Sequence, residues 1–354
     1  MDDIESLFSQ NYVQARERFR TVTRLLEHGA IEVNDDLTID WAWSGDAQSP
    51  YILVFSSGLH GIEGFAGSAA QLYLLSLKPE TPTLWLHVLN PWGMANLRRV
   101  DNQNVDLNRN FLTEDEEYQG VHPTYSQLNS LLNPASPPTK DLFQLQILRA
   151  LLEHGYQKLK SAVVMGQYEL PQGLFFGGRS LQPTLSLLLP FLDKVLSHRK
   201  KIVHIDLHSG LGNFGERSLL LEGESNPEQV ARASRAFGSR LKSRYNRNGG
   251  YIVRGGFTHA LARRLSGVHY DGITCEFGTY SMLHALAALR DENRLHHYGQ
   301  RDLSPKYNLR LLEVFSPFNL RWRRNVLSHA ATVYTQACAM LHDNELVEKH
   351  LSFY

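Results

Sequence analysis

The sequence SSGLHGIEG, residues 56–64, decides how the rest of the chain is interpreted. An apolar run at residues 51–55 precedes it and predicts a buried strand, whereas residues 65–77 are rich in Ala, Leu and Gly and predict a helix. His60 and Glu63 therefore lie on the turn between strand and helix, where the neighbouring glycines let the backbone bend sharply. An imidazole and a carboxylate at this spacing can bind one cation, so the turn is a candidate zinc site. The simpler alternative is a surface His and Glu at the start of a helix.

The composition is that of a soluble globular protein. The 354 residues are 42% hydrophobic and 20% charged, and 36 basic residues balance 36 acidic ones, which gives no general attraction to nucleic acid or to an anionic membrane. No apolar run is long enough to span a membrane, and the acidic N-terminal residues do not resemble a secretory signal. The two cysteines, Cys275 and Cys338, argue against a disulfide framework and against a Cys-based zinc site. We therefore expect a cytoplasmic protein without a nucleic-acid or membrane partner.

Segments that predict strands and helices alternate along almost the whole chain. Leucines recur at helical intervals in residues 141–160 and predict a helix, and the apolar residues 162–166 predict a strand. This alternation predicts one α/β domain, residues 1–354, in which helices flank a central mixed, mostly parallel sheet. Within it, residues 1–45 are interpreted as a lead-in and residues 112–140 as an excursion over the surface.

A later strand also ends in a histidine. Residues 201–207 predict a strand that leads directly into His208, and ligands gather at the C-terminal ends of strands in α/β sheets. His208 can supply a third metal ligand and leave one position for water, as in catalytic zinc sites. His204 is the competing choice, but it lies within the strand, where packing or internal hydrogen bonding is expected. Asp206 lies on the same strand face and either orients a ligand histidine or only satisfies its neighbours.

Two further polar segments carry candidate catalytic groups. Residues 98–111 concentrate arginine and asparagine side chains on a loop, where a guanidinium can bind a carboxylate or stabilise an oxyanion. The alternative there is a solvated polar loop. Glu276 ends an apolar strand at residues 272–276, where it can act as a general base beside a metal-activated water. The alternative for Glu276 is a structural ion pair with an arginine.

In their order along the chain, these motifs resemble the zinc carboxypeptidase superfamily, which includes the metallocarboxypeptidases and the succinylglutamate desuccinylase and aspartoacylase group. The resemblance spans about residues 50–280 and is specific as an ordered set. It consists of His60 with Glu63, Asn90-Pro91-Trp92-Gly93, Arg99 with Asp106-Leu107-Asn108-Arg109-Asn110, His208-Ser209, and Glu276.

The resemblance implies a zinc-carboxypeptidase-like, phosphorylase/hydrolase-like fold and one Zn²⁺ per chain. It assigns the metal to His60, Glu63 and His208. It also implies that Arg99 polarises the scissile carbonyl and stabilises the oxyanion. Glu276 would be the general base and then the proton donor to the leaving amine.

The resemblance further assigns Asn108 and Arg109 to the terminal carboxylate of the substrate, which would be a small peptide or an N-acyl amino acid. We expect hydrolysis of a C-terminal peptide bond, as in a metallocarboxypeptidase. A deacylase of an N-acyl amino acid and a catalytically inactive carboxylate-binding protein are the alternatives. No local pattern selects the substrate-capping tyrosine of the digestive enzymes among Tyr251, Tyr270 and Tyr280.

Overall fold

The structure, a computed structural model, describes residues 4–221, 227–238, 241–243 and 254–343. Its strands are β1 Glu27–Asn34, β2 Leu37–Ser44, β3 Tyr51–Ser57, β4 Thr83–His87, β5 Lys201–Gly210, β6 Arg217–Leu221, β7 Leu241–Ser243 and β8 His269–Gly278. They form one sheet in the order β1-β2-β4-β3-β5-β8-β6-β7.

The centre of this sheet is parallel and its flanks are mixed. Strands β4, β3, β5 and β8 run in the same direction, whereas β2 is antiparallel to β4 and β6 is antiparallel to β8. Strands covered on both faces read as nearly continuous apolar runs, and the run that forms β3 is buried from Ile52 onward. The predicted α/β fold with a central mixed, mostly parallel sheet is therefore confirmed.

Helices cover both faces of the sheet. They are α1 Ile4–Leu7, α2 Tyr12–Thr23, α3 Gly64–Ser76, α4 Pro91–Ala95, α5 Pro123–Gln127, α6 Asn129–Leu132, α7 Phe143–His154, α8 Tyr156–Val164, α9 Pro183–Leu196, α10 Pro227–Phe237, α11 Phe257–Arg264, α12 Met282–Tyr298, α13 Ser304–Phe315 and α14 Leu320–His342. Since side chains alternate along a strand, Phe55 of β3 packs in one core with α3 and α14, and Val54 packs in another with α9 and α11.

The predicted strand at residues 162–166 is wrong, because residues 162–164 belong to helix α8. The buried side chains of α8 include Leu159 and Val163, which are four positions apart and share one helix face. A five-residue apolar window is too short to distinguish this spacing from a buried strand. The predicted helix over residues 141–160 is confirmed as α7 followed by α8, and the two are separated at Gly155, whose φ of +77° suits glycine.

Helix α7 carries most of its leucines on the side opposite to the core. Their helical spacing predicts the helix correctly, but the protein contacts a different face of it. The exposed leucines are Leu142, just before the helix, with Leu145, Leu148 and Leu152. The buried residues of α7 are Phe143, Ile147 and Ala150. Periodicity therefore predicts the helix but not its orientation.

The segment interpreted as a lead-in contributes two strands of the sheet, β1 and β2. The excursion at residues 112–140 contains the short helices α5 and α6. The assignment of residues 1–354 to a single catalytic domain stays a prediction. Across the ranges that the structure describes, we find no helix with both the length and the apolar character needed to cross a bilayer.

Candidate active site

The site lies at the C-terminal ends of the parallel strands β3 and β5, in the middle of the sheet. After β3 the chain turns at Gly58, whose φ is +68° and where a Cβ atom would lie only 2.6 Å from the side chain of Val88. This turn brings His60 and Glu63 over the strand ends before α3 begins. Because β5 is the parallel neighbour of β3, its last residues place His208 at the same end of the sheet.

Three predicted ligand side chains converge there. His60 Nδ1 lies 3.0 Å from Glu63 Oε1 and 3.1 Å from His208 Nδ1, and His208 Nδ1 lies 3.0 Å from Glu63 Oε2. The side chains are 2–3% exposed. Within the described ranges, this is the one group of three or more His, Cys, Asp and Glu residues whose ligand atoms lie close enough to share an ion. The three residues could therefore hold a metal.

The Nε2 atoms of both histidines, on the ring side away from Glu63, lie beside carboxylates. His60 Nε2 lies 3.0 Å from Asp106 Oδ1, and His208 Nε2 lies 2.7 Å from Asp206 Oδ2. A carboxylate accepts the proton of the ring nitrogen beside it, so in each histidine Nδ1 is the nitrogen that could bind a metal, after losing any proton that it shares with Glu63. Metal-binding histidines are held in this way, and the donor set of two imidazoles and one carboxylate fits Zn²⁺. The role of Asp106 was not predicted from the sequence, where the only signal was its place in the Arg/Asn-rich motif.

Arg99 is bound to the carboxylates of the site. Its Nη1 donates to Glu63 Oε1 at 2.7 Å and its Nε to Asp106 Oδ2 at 3.4 Å. Its Nη2 also lies 2.8 Å from His60 Nε2, which cannot accept from Arg99 and donate to Asp106 at the same time. We assign the proton to His60 Nε2 because this leaves Nδ1 as a ligand. Arg99 is then held beside the ligands by its two carboxylate contacts.

Buried carboxylates give the site a preference for positive charge. Burial by itself would raise the pKa of Glu63, but the charge of His60, hydrogen bonds from both histidines and the charge of Arg99 hold that pKa well below its usual value. Burial would likewise lower the pKa of His208, but Asp206 and Glu63 outweigh it and raise that pKa well above its usual value. The carboxylates therefore stay ionised and favour a cation between them.

A hydrogen-bonded chain extends from Asp206 into the sheet. Ser56 Oγ donates to Asp206 Oδ1 at 2.6 Å and lies 2.7 Å from His204 Nε2. His204 Nδ1 in turn lies 2.5 Å from the hydroxyl of Tyr270. The interpretation of His204 as an internally hydrogen-bonded strand residue is therefore confirmed, and Asp206 is placed to orient His208.

A cavity of about 510 Å³ opens onto these ligands. It is lined at its polar end by six of the seven predicted site residues, namely His60, Glu63, Arg99, Asn108, Arg109 and Glu276. The remaining wall is largely apolar and comes from α7, α8, α12 and the end of α13. The loop at residues 98–111, the turn with His60 and Glu63, and strand β8 with Glu276 therefore all contribute to the wall of one cavity.

The predicted general base lies on the strand beside β5, which carries the candidate ligand His208. Glu276 of β8 pairs with His208 of β5 in the parallel register. Its Oε2 accepts the N–H of Leu211 at 3.3 Å. The carboxylate is therefore held at the cavity wall next to the strand that carries His208, and its role as general base stays a prediction.

The two residues assigned to a substrate carboxylate make contacts of their own. Arg109 donates from Nε and Nη2 to the carbonyl of Val164, at 3.1 and 2.7 Å, and from Nη1 to the carbonyl of Asn108 at 2.8 Å. Asn108 Oδ1 accepts the N–H of Phe257 at 3.0 Å. Both side chains line the cavity, so they can be reached by a substrate, and their carboxylate-binding role stays a prediction.

Of the three candidate tyrosines, the two that the structure describes, Tyr270 and Tyr280, do not line the cavity. Tyr270 is bonded to His204, Tyr280 donates to Glu313 Oε1 at 2.6 Å, and Tyr251 lies outside the described residues. Tyr156, at the start of α8, does line the cavity and is half-exposed. The sequence offered no signal for it, since its position against the site follows from how α8 packs.

The arrangement predicts that Asp206→Asn weakens metal binding by about 10–100-fold, because an amide no longer holds the outer proton of His208 as a carboxylate does. Competition for zinc with a chelator measures this affinity. Asp271→Asn is the matched control, since Asp271 is an equally buried carboxylate on β8 that pairs with Arg232 away from the metal ligands. Equal zinc affinity in the Asp206 variant and the wild type would contradict the orienting role.

Comparisons with known proteins agree with this architecture. The family described as "Protein of unknown function (DUF2817)" matches residues 8–329. A search of curated proteins finds none that matches this sequence. Among solved structures, bovine thrombin-activatable fibrinolysis inhibitor in complex with tick carboxypeptidase inhibitor has a TM-score of 0.54 at 11% identity, covering 96% of this chain and 99% of that chain.

Two further structures match with lower TM-scores. Carboxypeptidase A from Helicoverpa armigera has a TM-score of 0.46 at 14% identity, over 86% of this chain and 73% of that chain. Murein-tripeptide amidase from Escherichia coli O157 has a TM-score of 0.38 at 19% identity, over 72% and 86%. The bovine structure supports the zinc-carboxypeptidase-like fold that the sequence resemblance implied, and the likeness is one of fold alone.

Proposed function

Because the chain belongs to the DUF2817 family of proteins of unknown function, its activity has to be argued from its own site, and we propose that it is a zinc-dependent amide hydrolase. The bond cleaved lies next to a free carboxylate, and the leading activity is removal of the C-terminal residue of a small peptide. The observation that carries the proposal is the convergence of His60 Nδ1, His208 Nδ1 and the Glu63 carboxylate on a cavity that Glu276 also lines.

Each residue has a distinct task in this proposal. Zinc held by the three ligands would supply a Lewis acid and an activated water at neutral pH. The Glu276 carboxylate takes a proton from the attacking water and returns it to the leaving nitrogen. The Arg99 guanidinium, kept in place by Glu63 and Asp106, directs its N–H groups to the carbonyl oxygen as negative charge develops.

A deacylase of an N-acyl amino acid is the second candidate function. It uses the same chemistry, because the bond broken is again an amide beside a carboxylate. The large apolar wall of the cavity favours it, since that wall offers room for an acyl group. A catalytically inactive carboxylate-binding protein is disfavoured, because binding alone has no use for Glu276 beside a complete ligand set.

The proposal predicts that Arg109→Ala raises KM for free-acid substrates and removes the preference for them over C-terminally amidated ones. The loss of one partner of a buried charge pair weakens binding by about 2–5 kcal/mol. Steady-state kinetics on matched free-acid and amidated peptides measures the preference. The ratio of the two kcat/KM values is informative even if the variant is less stable, since lost stability lowers both alike.

Arg149→Ala is the control for this experiment, because Arg149 is an exposed arginine on α7 that pairs only with Glu153 among the contacts found for it. It should keep the wild-type preference. Equal turnover of free-acid and amidated substrates by the wild type would remove the carboxylate from the proposed recognition.

We also propose a cytoplasmic location, supported by two cysteines that are both unpaired in the structure. The expected partner is a small peptide or N-acyl amino acid, with one Zn²⁺ per chain.

A further inference from the structure

The apolar part of the cavity is larger than the proposed chemistry needs. His60, Glu63, Arg99 and Glu276 are among the cavity's polar lining residues, beside which an amide and a carboxylate would be bound. Its apolar lining includes Ile147 and Leu151 of α7, Leu159 of α8, and Leu286 and Leu289 of α12. A pocket of about 510 Å³ is within the range of about 300–1,000 Å³ that accommodates ligands well above the size of one side chain.

The side chains of this wall are packed into the protein core. Leu159, Leu286 and Leu289 are 4–6% exposed, and they belong with Ile147 to one core cluster. Packed apolar side chains keep their shape, so the wall can accept apolar groups without rearranging. A polar substrate would leave this apolar surface in contact with water. An aliphatic chain lying on it would remove apolar area of both chain and wall from water, which is favourable.

We propose that the substrate is an N-acyl amino acid whose acyl group is a long aliphatic chain, and that this chain lies against α7, α8 and α12. The inference rests on the proposed amide hydrolase function and, on the evidence of the apolar wall, selects the deacylase over the peptidase as its substrate class. One water is consumed in the reaction. Its oxygen forms the new bond to the acyl carbon, the C–N bond breaks and the amine nitrogen gains a proton, which yields a fatty acid and a free amino acid.

The first test is a chain-length series of N-acylglycines from acetyl to dodecanoyl, assayed with the zinc-loaded protein. Each methylene buried on the wall should raise kcat/KM about fourfold until the chain outgrows the cavity. A parallel series keeps the acetyl group and changes glycine to alanine, leucine and phenylalanine. A kcat/KM that stays constant or falls as the acyl chain lengthens overturns the proposal. So does a rise confined to the amino-acid series, which would assign the wall to the amino-acid side chain.

Two neighbouring leucines of α7 make a matched pair of variants. Leu151 lines the cavity, whereas Leu152 is 81% exposed and does not. Leu151→Asn should flatten the acyl series, because it places an amide against the chain, and Leu152→Asn should leave the series as in the wild type. Ala285→Phe, which fills the cavity from α12, is a second variant that should reduce the ratio of dodecanoyl to acetyl turnover. If Leu151→Asn and Ala285→Phe both show the wild-type dependence of kcat/KM on acyl-chain length, the proposal is overturned.

Direct binding separates this inference from the proposed function. Isothermal titration calorimetry with N-dodecanoylglycine and N-acetylglycine needs no turnover, and burial of the chain should give the longer ligand tighter binding and a negative heat-capacity change. If no substrate is hydrolysed but dodecanoyl binding is tight and weakened in Leu151→Asn, the apolar site stands and the hydrolase function fails. If amides are hydrolysed but both ligands bind alike, the function stands and the apolar site fails.

Discussion

Replacement of Glu276 by glutamine is expected to lower kcat by about 10²–10⁴-fold, the usual contribution of a general acid–base group, while zinc content and substrate affinity are retained. Glutamine keeps the size of the side chain and can still accept the N–H of Leu211, which Glu276 binds at 3.3 Å. It cannot take a proton from water or return one to the leaving nitrogen. Turnover, zinc content and thermal melting, measured together on wild type and variant, check this expectation.

The same measurements distinguish the other roles considered for Glu276. If it were only a structural ion-pair partner, the substitution would lower the free energy of unfolding by about 3–5 kcal/mol and leave turnover of the folded protein nearly unchanged. If the protein only bound carboxylates, wild type and variant would both be inactive and would bind ligand alike. Glu216→Gln, the same chemical change at an exposed residue close to β6, is the control and should behave as the wild type.

Replacement of His60 by alanine is expected to reduce zinc from one ion per chain to a small fraction and to abolish turnover. The substitution removes one of three protein ligands, and its Nδ1 is the atom that lies within about 3 Å of both other ligand residues. The fold should survive, because β3 and α3 on either side of the turn have their own apolar packing. Metal analysis of the purified variant and its circular dichroism spectrum measure the two effects.

His204→Ala is the comparison for this variant, since His204 is the competing ligand choice in the sequence and is equally buried. Its ring is bonded to Ser56 and Tyr270, so its loss should leave one zinc per chain. Undiminished zinc in His60→Ala, or zinc lost from His204→Ala alone, would disprove the ligand assignment.

The α/β class and the position of the turn with His60 and Glu63 could be predicted from the sequence. Both depend on local signals, namely buried strands that read as continuous apolar runs and a His-x-x-Glu motif among glycines directly after one of them. The choice of His208 over His204 could also be made from the sequence, because only His208 lies near the C-terminal end of its strand. The ordered motifs from His60 to Glu276 led to the same family of folds that the structure shows.

The partners of the candidate ligands and the buried faces of the helices could be identified only from tertiary contacts. Asp106 orients His60 because a loop forty-six positions further along the chain folds back onto the metal turn, and no local spacing encodes that contact. Residues 162–164 are helical because Leu159 and Val163 pack on one face of α8. Leu145, Leu148 and Leu152 of α7 point outward although their spacing is helical, because a helical period predicts an apolar face but not which elements pack against it. The apolar cavity wall likewise exists only where α7, α8 and α12 meet, because burial depends on contacts between segments that are distant in the chain.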